Sequence, residues 1–474
     1  MSTSVSRASS RLKLVALGFV VFTVGCHTKS ATNTPPSQTT SATTPAQSIA
    51  PLSANDVSWL FPAPTTAADL ANLIAVKDIT ASGGPVWTDT VFQRFVAIAD
   101  SSVTQVAGTS SQISLPQEAR AIDAWFVAGV RIDAGAPGLS KEIAAQYGQL
   151  PEIRLIIQPI VKNPDGSPKP LDVAGHLIFD FTTPKDDPSL QPGACLQRPV
   201  ADMAAFRSIV ADAAALRTKL ANGQLGGNAV STNGAPLGVH PGLADPITAN
   251  AVRNAMLAFL ESHISAQRLD SMAIAGLPAG ATSPWIFLSM TNLPPGVDPG
   301  LPNGGFDPVH GPTLDGAQFA QMLNPASATP RVVPEPATNN LNPITCRNAA
   351  ASPTGLPVTQ RKGVSTSTVF AATAPPADQT KQILDTIADP QKSFFFNTDC
   401  ISCHTETQRT MTLLHVTDIP GINQAVLPST QYDVRNFGWG AGKAGIQSTV
   451  TRRAANETAS VVTFINSNLL SNQH

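Results

Sequence analysis

The sequence predicts an α+β protein with more than one domain. Its 474 residues exceed the length of one ordinary domain and leave room for two or three. Strand-like segments and segments with helically spaced apolar residues follow one another without regular alternation, which favours α+β over α/β. The sequence has no repeat of fixed period.

The composition favours an exported protein and argues against nucleic-acid binding. Charged residues make up only 13% of the chain, and 41 residues are proline. Few charges together with many Pro, Ser and Thr residues are typical of exported proteins built from strands, loops and turns. The net charge is −2, so the chain lacks the basic footprint of a nucleic-acid-binding protein.

The N-terminus has the layout of a secretory signal. Three basic residues lie within the first 13 positions, and an apolar run from Leu14 to Val24 follows. This run is shorter than the roughly 20 residues of a membrane-spanning helix. It ends in Thr23-Val24-Gly25-Cys26, which resembles the lipobox of bacterial lipoproteins, although Thr23 replaces the usual Leu-like residue. The resemblance implies that residues 1–25 are a signal peptide and that Cys26 carries the lipid; cleavage elsewhere or an uncleaved anchor are the alternatives.

Residues 26–55 and 56–323 are predicted to form a tether and a central domain of unknown role. The first segment is rich in Ser, Thr, Pro and Ala and has too few large apolar residues to fold. In the second, two strand-like runs, Glu152–Val161 and His176–Phe181, flank the turn signal Asn163–Gly166 and predict a hairpin-like pair. We also expect strands at Ala273–Leu277 and Trp285–Met290, and helices at Met203–Leu220 and Ala249–Gln267.

The remaining chain divides into a Pro-rich connection, residues 324–376, and a C-terminal domain, residues 377–474. A helix is expected over Gln379–Ala388, stopped by the following Asp-Pro pair. Another is expected over Glu457–Leu470, with Asn456 as its N-cap. The Gly-rich segment between Asn436 and Gly445 is expected to be a loop, because its match to a dinucleotide-binding fingerprint lacks the βαβ context.

The strongest chemical signal is the Cys-x-x-Cys-His motif formed by Cys400, Cys403 and His404. Positions i and i+3 of a helix lie on the same side, so the two thiols can reach the two vinyl groups of one porphyrin. The adjacent His404 can then bind the haem iron as the proximal ligand. A zinc site would need a second Cys/His pair, which His415 alone does not supply. A redox dithiol would usually lie next to a thioredoxin-like βαβ pattern, which this sequence lacks.

The C-terminal segment also resembles class I cytochrome c domains. In that family one helix precedes the motif and a final helix packs across it, as the two helices expected here could do. The resemblance implies a small, mostly α domain with one covalently bound haem c. The family's sixth ligand is a Met in the loop before the last helix, but residues 436–442 contain no Met.

The sixth ligand is therefore open. His415 is a weak candidate for the sixth ligand; alternatively, it is a half-buried residue with only a packing role. Met411, and His310 or Met322 from the central domain, are further possibilities, as is a five-coordinate iron. Arg409 and Arg435 are candidates for pairing with haem propionates, although solvated surface charge is the more usual role. Asp307, His310 and Asp315 cluster in a Gly/Pro-rich loop, which we interpret as loop polarity and not as a metal site.

The five cysteines fit an oxidising compartment. Once Cys26, Cys400 and Cys403 are assigned, Cys195 and Cys346 remain, and both lie in turn-rich contexts. They predict a disulfide, with two unrelated buried thiols as the alternative.

These observations favour electron transfer by a c-type cytochrome that is lipid-anchored to a bacterial membrane, at its periplasmic face or at the cell surface, with redox partner proteins unknown. One alternative is a haem enzyme, peroxidase-like or acting on small molecules, with an open iron position. The other is a surface binding or assembly protein with an accessory haem. Whether the chain is an enzyme stays open at this stage.

Overall fold

The computed structural model describes residues 50–101, 104–106, 109–111, 113–135, 151–183, 200–276, 285–293, 305–308, 320–323, 377–393, 400–429, 436–442 and 445–470. Several predictions lie outside these residues. They are the lipidated Cys26, most of the tether, the connection over residues 324–376, and the disulfide between Cys195 and Cys346.

The described part of the central region is dominated by one antiparallel sheet of nine strands. The strands of this sheet are β1 Ser58–Leu60, β6 Trp125–Asp133, β7 Glu152–Lys162, β8 Pro168–Pro170, β9 Ala174–Asp180, β12 Leu269–Gly276, β13 Trp285–Leu293, β14 Gly305–Pro308 and β15 Ala320–Leu323. The strand order is β1-β6-β7-β9-β12-β13-β14; in addition, β8 pairs with β7 and β15 pairs with β13. Short two-stranded pairs are formed by β2 Thr80–Ala81 with β3 Gly84–Pro85, β4 Thr104–Val106 with β5 Thr109–Ser111, and β10 Thr182–Thr183 with β11 Val200–Ala201.

The predicted hairpin-like pair is confirmed. β7 and β9 are antiparallel neighbours, with Leu155 opposite Leu177. Gly166 in the turn has φ 85°, a conformation that glycine adopts without strain. Apolar side chains of β7 are buried on both faces, which explains its nearly continuous apolar sequence.

Eight α-helices occur in the described residues. They are α1 Ala54–Val57, α2 Asp89–Ser101, α3 Met203–Ala221, α4 Pro241–Ala244, α5 Ala249–His263, α6 Ala377–Ala388, α7 Cys400–Leu413 and α8 Arg452–Ile465. Short 3₁₀ turns lie at Ala67–Asn72, Val76–Asp78, Gln117–Arg120, Ile122–Ala124, Ala266–Arg268 and Gln424–Val426, and a π-helical turn at Asn466–Leu470 follows α8. The mixture of helices and antiparallel strands confirms the α+β class. No helix in the described part of the chain is long and apolar enough to cross a membrane.

The predicted start of the last helix was wrong. α8 begins five residues before Glu457, and its N-cap is Thr451, whose hydroxyl accepts a hydrogen bond from the Ala454 amide. Asn456 lies inside the helix, where its Nδ2 donates to the Ala388 carbonyl over 2.8 Å. Two arginines lie in the first turn of α8, where positive charges interact unfavourably with the helix dipole. The sequence pattern therefore did not predict a helix start at this position.

The expected loop at residues 436–442 was also wrong, because it is a strand. β16 (Phe437–Gly442) pairs with β17 (Gly445–Val450) as an antiparallel hairpin. Phe437 and Trp439 alternate with glycines along β16, and both are buried. Gly438 has φ 143°, and a Cβ there would lie 2.6 Å from the Gln158 side chain. The glycines therefore allow the backbone of β16 to approach the large sheet closely.

Buried apolar residues of the described C-terminal part, from Ile419 to Leu470, share one hydrophobic core with the sheet. Ser58 and Thr458 are joined by a buried hydrogen bond of 2.8 Å between their hydroxyls. Asn466 forms two hydrogen bonds with the backbone of Leu52, of 2.8 and 2.9 Å. The described residues of the predicted central and C-terminal domains therefore pack against each other. Residues 50–55 likewise belong to the folded part and not to the tether.

Gln158 provides the clearest link between the large sheet and the hairpin, and replacing it with leucine tests that link. Its Nε2 donates to the Trp439 carbonyl over 2.8 Å, and its Oε1 accepts from the Trp439 amide over 2.6 Å. Gln158→Leu leaves two buried backbone groups unpaired, so we expect a loss of about 2–4 kcal/mol in the free energy of unfolding, measured by urea denaturation. If Gln158→Leu lowers the free energy of unfolding no more than the exposed control Gln382→Leu does, this role of Gln158 is contradicted.

Candidate functional site

The Cys-x-x-Cys-His motif forms the first turn of α7. The helix begins at Cys400, so Cys400 and Cys403 are one turn apart and His404 follows directly. Residues i and i+3 lie on the same side of a helix, and the structure thus confirms the helical spacing on which the motif depends. Cys403 and His404 are both half-buried.

The Cys403 thiol is enclosed and stays protonated at neutral pH. Asn436 Nδ2 donates a weak hydrogen bond to its Sγ over 3.8 Å. Burial raises the pKa of Cys403 to about 11, although the positive charge of Arg453 opposes this rise. A redox-active dithiol depends on a cysteine with a lowered pKa, so the surroundings of Cys403 do not favour that alternative.

The helix continues from the motif into a polar run that is completely enclosed. All six residues from Thr405 to Thr410 are buried, with exposures of 5% or less. Glu406 accepts hydrogen bonds of 3.1 Å from the Arg453 amide and from Arg452 Nε. Thr407 Oγ1 accepts a hydrogen bond of 2.8 Å from the Arg452 amide. The N-terminus of α8 is therefore hydrogen-bonded to α7 one turn beyond the motif, and this contact fixes the orientation of both helices.

A buried ion network joins α8 to the large sheet. Glu457 accepts hydrogen bonds of 2.6 Å from Arg453 Nε and 2.7 Å from Arg131 Nη1. Burial alone would raise the pKa of Glu457, but Arg453 and Arg131 together lower it to about 2. Glu457 is therefore ionised at neutral pH. Arg453 also donates to the Ile387 carbonyl over 3.0 Å and to the Ser393 hydroxyl, which ties α6 to the same network.

Asp133 ends the network on the sheet side. It lies opposite Glu152 in the register of β6 and β7, and its Oδ2 is 3.8 Å from Arg131 Nη2. Burial raises the pKa of Asp133 to about 7; Arg131 opposes the rise, and Glu152 adds to it. Asp133 is thus the group in the network whose charge changes near neutral pH.

The protonation of Asp133 predicts how stability depends on pH. The pKa of Asp133 is about 7 in the folded chain and has the ordinary value of 3.8 in the unfolded chain. Between pH 3.8 and about 7 the folded chain therefore keeps a proton on Asp133 that the unfolded chain has lost. Its contribution to the free energy of unfolding is therefore complete below about pH 4 and is lost as the pH rises to about 7. Asp133→Asn should remove this loss, so that the variant gains stability over the wild type between pH 4 and pH 8 in urea titrations. An unchanged slope, or an equal effect of the exposed control Asp123→Asn, would contradict the assignment.

The structure does not bring His415 near the opposite side of His404. His415 lies just after the end of α7, is exposed and has φ 53°. The helix ends at Leu413, nine residues after His404, which already corresponds to roughly 14 Å of rise, and His415 lies beyond that end. This position does not favour His415 as a sixth ligand, and its exposure also rules out the half-buried packing role.

The other candidates are only partly described. Arg409 is buried, and its Nε donates to Thr405 Oγ1 over 2.8 Å, so it is not a solvated surface charge. Met411 is half-buried near the end of α7. Met322 lies in β15 and Asp307 in β14, but their side chains are outside the described part of the structure. His310, Asp315 and Arg435 lie outside the described residues altogether. Among described residues, no group of three or more His, Cys, Asp and Glu side chains is placed to hold a metal ion.

The sequence reasoning missed the charged residues around the motif. Arg453 and Glu457 are spaced i, i+4, which is the helical ion-pair spacing, and this signal was present in the sequence. Arg131 and Asp133 lie in a strand that is otherwise apolar, in a chain with few charges. Glu457, which pairs with Arg131, is 326 residues away from it in the chain, so only the fold shows the pairing.

Comparison with known protein families, with curated protein sequences and with solved structures finds no match for this chain.

Proposed function

We propose that this chain is a c-type cytochrome that binds one haem covalently through Cys400, Cys403 and His404 and passes single electrons to partner proteins. The observation that carries the proposal is the position of the Cys-x-x-Cys-His motif on the first turn of α7. We further propose that Cys26 anchors the chain by a lipid to a bacterial membrane, at its periplasmic face or at the cell surface, on the evidence of the N-terminal sequence.

The described residues fit a haem in two respects. Cys400 and Cys403 are spaced one helical turn apart. Burial also keeps Cys403 as the thiol, the form that adds across a vinyl group to give a thioether. Haem supplies a one-electron couple when bound.

The chain's own residues would hold the cofactor in a fixed position. His404 would bind the iron, and Cys400 and Cys403 would anchor the porphyrin through thioether bonds. The hydrogen bonds of Glu406 and Thr407 to the start of α8 keep the helix that carries His404 from moving. A rigid proximal ligand suits electron transfer, because little rearrangement then accompanies the change in iron charge.

A haem enzyme is the second candidate, and the position of His415 is the observation that favours it. If no other residue binds the iron opposite His404, that position is open to a small molecule. Axial ligation is a main determinant of haem reactivity, so the sixth ligand separates the two functions.

A redox titration of the mature, haem-loaded chain tests the proposed function. We expect a reversible one-electron couple and the spectrum of a six-coordinate, low-spin haem in both oxidation states. Peroxide and nitric oxide should leave that spectrum unchanged. A high-spin haem whose spectrum responds to either molecule would overturn electron transfer in favour of the enzyme, and a chain without covalent haem would overturn both.

A further inference from the structure

Three Asn-Gly pairs occur in the sequence: Asn222–Gly223, Asn233–Gly234 and Asn303–Gly304. In such a pair the backbone nitrogen of the glycine can attack the side-chain carbonyl carbon of the asparagine, because glycine has no Cβ to hinder the approach. Asparagine is one of the chemically labile residues of proteins. The third pair lies outside the described residues, whereas the first two are described and can be compared with each other.

The two described pairs have similar exposure and backbone conformation but differ at the glycine amide. Asn222 and Asn233 are both exposed, and Gly223 and Gly234 have φ angles of 68° and 70°. The Gly223 amide donates a hydrogen bond of 3.1 Å to the Leu220 carbonyl. The Gly234 amide has no acceptor in the described part of the chain. The Gly223 nitrogen must therefore give up a hydrogen bond before it can react, whereas the Gly234 nitrogen need not.

The space around the two glycines differs in the same sense. A Cβ built on Gly234 would meet no atom within 4 Å, whereas one built on Gly223 would lie 3.0 Å from the Gly227 carbonyl oxygen. The backbone of Gly234 is therefore open to approach on this side. At Gly223 a neighbouring segment of backbone restricts the same approach.

We propose that Asn233 is a site of spontaneous deamidation. The Gly234 nitrogen loses its proton to solvent and forms a bond to Asn233 Cγ, and the side-chain nitrogen leaves as ammonia, which gives a cyclic imide. Water then adds to either carbonyl of the imide and opens the ring. The product is aspartate or isoaspartate, in which the main chain runs through Cβ and Cγ. A neutral amide thus becomes a carboxylate, and the reaction needs neither an oxidant nor a cofactor.

Isoaspartate at position 233 changes the contact that holds the start of the folded part. On one side of Asn233, the Thr232 hydroxyl donates to Asp56 Oδ1 over 2.7 Å in a buried hydrogen bond. On the other side, Asn55 Nδ2 donates to the Pro236 carbonyl over 3.1 Å. Both hydrogen bonds fix α1, and isoaspartate lengthens the main chain between them by one atom. We therefore expect the modification to loosen α1 from this turn.

Peptide mass spectrometry of the full chain, incubated in mildly alkaline buffer, tests the proposal. In the folded chain Asn233 should be converted several-fold faster than Asn222, which serves as an internal control with the same neighbouring glycine. In urea both glycine amides are exposed to solvent, so the two sites should react at similar rates. Equal rates in the folded chain, faster conversion of Asn222, or no conversion of Asn233 while the unfolded chain reacts would overturn the proposal. The same preference for Asn233 in urea would overturn the role of the Gly223 hydrogen bond.

Hydrogen exchange of the incubated chain tests the effect on α1. The Asp56 amide donates to the Ser53 carbonyl over 3.0 Å and is protected while α1 is in place. After incubation it should exchange faster in the wild type and in Asn222→Gln, but not in Asn233→Gln, because glutamine forms the corresponding imide much more slowly. Unchanged exchange in the deamidated wild type, or equal acceleration in all three chains, would overturn the effect on α1.

Discussion

Replacing both Cys400 and Cys403 with serine should abolish covalent haem attachment completely. Serine keeps the size of the side chain but cannot form the thioether bonds to the vinyl groups. The expected result is that all haem separates from the variant polypeptide in denaturing electrophoresis, whereas haem stays with the wild-type band. The measurement requires expression in a periplasm with cytochrome c maturation.

Ser402→Ala is the matched control for this prediction, because it changes the motif without removing a cysteine or His404. It should retain haem at the wild-type level. Haem that remains bound to the double serine variant under denaturing conditions would contradict the assignment of the motif, and so would loss of haem from the Ser402→Ala chain alone.

Replacing Glu457 with glutamine should destabilise the fold by about 3–5 kcal/mol at neutral pH, because it leaves two buried arginines without their shared carboxylate. Glu457 accepts from Arg131 of the sheet and Arg453 of its own helix. Glutamine has nearly the same shape, so the change removes charge and leaves packing largely intact. Urea denaturation at pH 7, compared with the exposed control Glu118→Gln, measures the loss.

The cost of Glu457→Gln should depend on pH in a defined direction. The pKa of Glu457 is about 2 in the folded chain, below its ordinary value of 4.5. The stability that its charge contributes is therefore present above about pH 4.5 and is lost as the pH falls toward 2. The wild type and the variant should converge over that interval. A constant difference down to pH 2, or a loss no larger than that of the Glu118 control, would contradict the role of the network.

The sequence predicted those parts of the fold that depend on local patterns. The alternating and continuous apolar runs of β7 and β9, and the Asn-Pro-Asp-Gly turn between them, carry their own signal. The helical spacing of Cys400 and Cys403 is equally local, and α7 does begin at Cys400. Predictions of this kind need only neighbouring residues.

The features that the sequence did not predict depend on residues distant in the chain. β16 is a strand because Phe437 and Trp439 are buried against the sheet and because Gln158 pairs with the Trp439 backbone. Arg452 and Arg453 are tolerated at the start of α8 because Glu406 and Glu457 neutralise them there. Neither set of contacts can be predicted from a local pattern. The glycines of β16 therefore suggested a loop, and the arginines of the first turn of α8 argued against a helix start there.

The same long-range contacts place the candidate site where α7, α8 and the large sheet meet. Glu406 fixes α7 on α8, and Glu457 fixes α8 on the sheet through Arg131. The residues that hold His404 are thus continuous with the hydrophobic core. We expect substitutions in the ion network to affect the proposed haem site as well as stability.

The most direct test of the account is the haem content of the mature wild-type chain after purification under denaturing conditions, determined from oxidised and reduced absorption spectra. The account predicts one covalently bound haem per chain. A chain produced with active cytochrome c maturation that carries no haem would contradict it, and Cys400 and Cys403 would then be a simple pair of thiols.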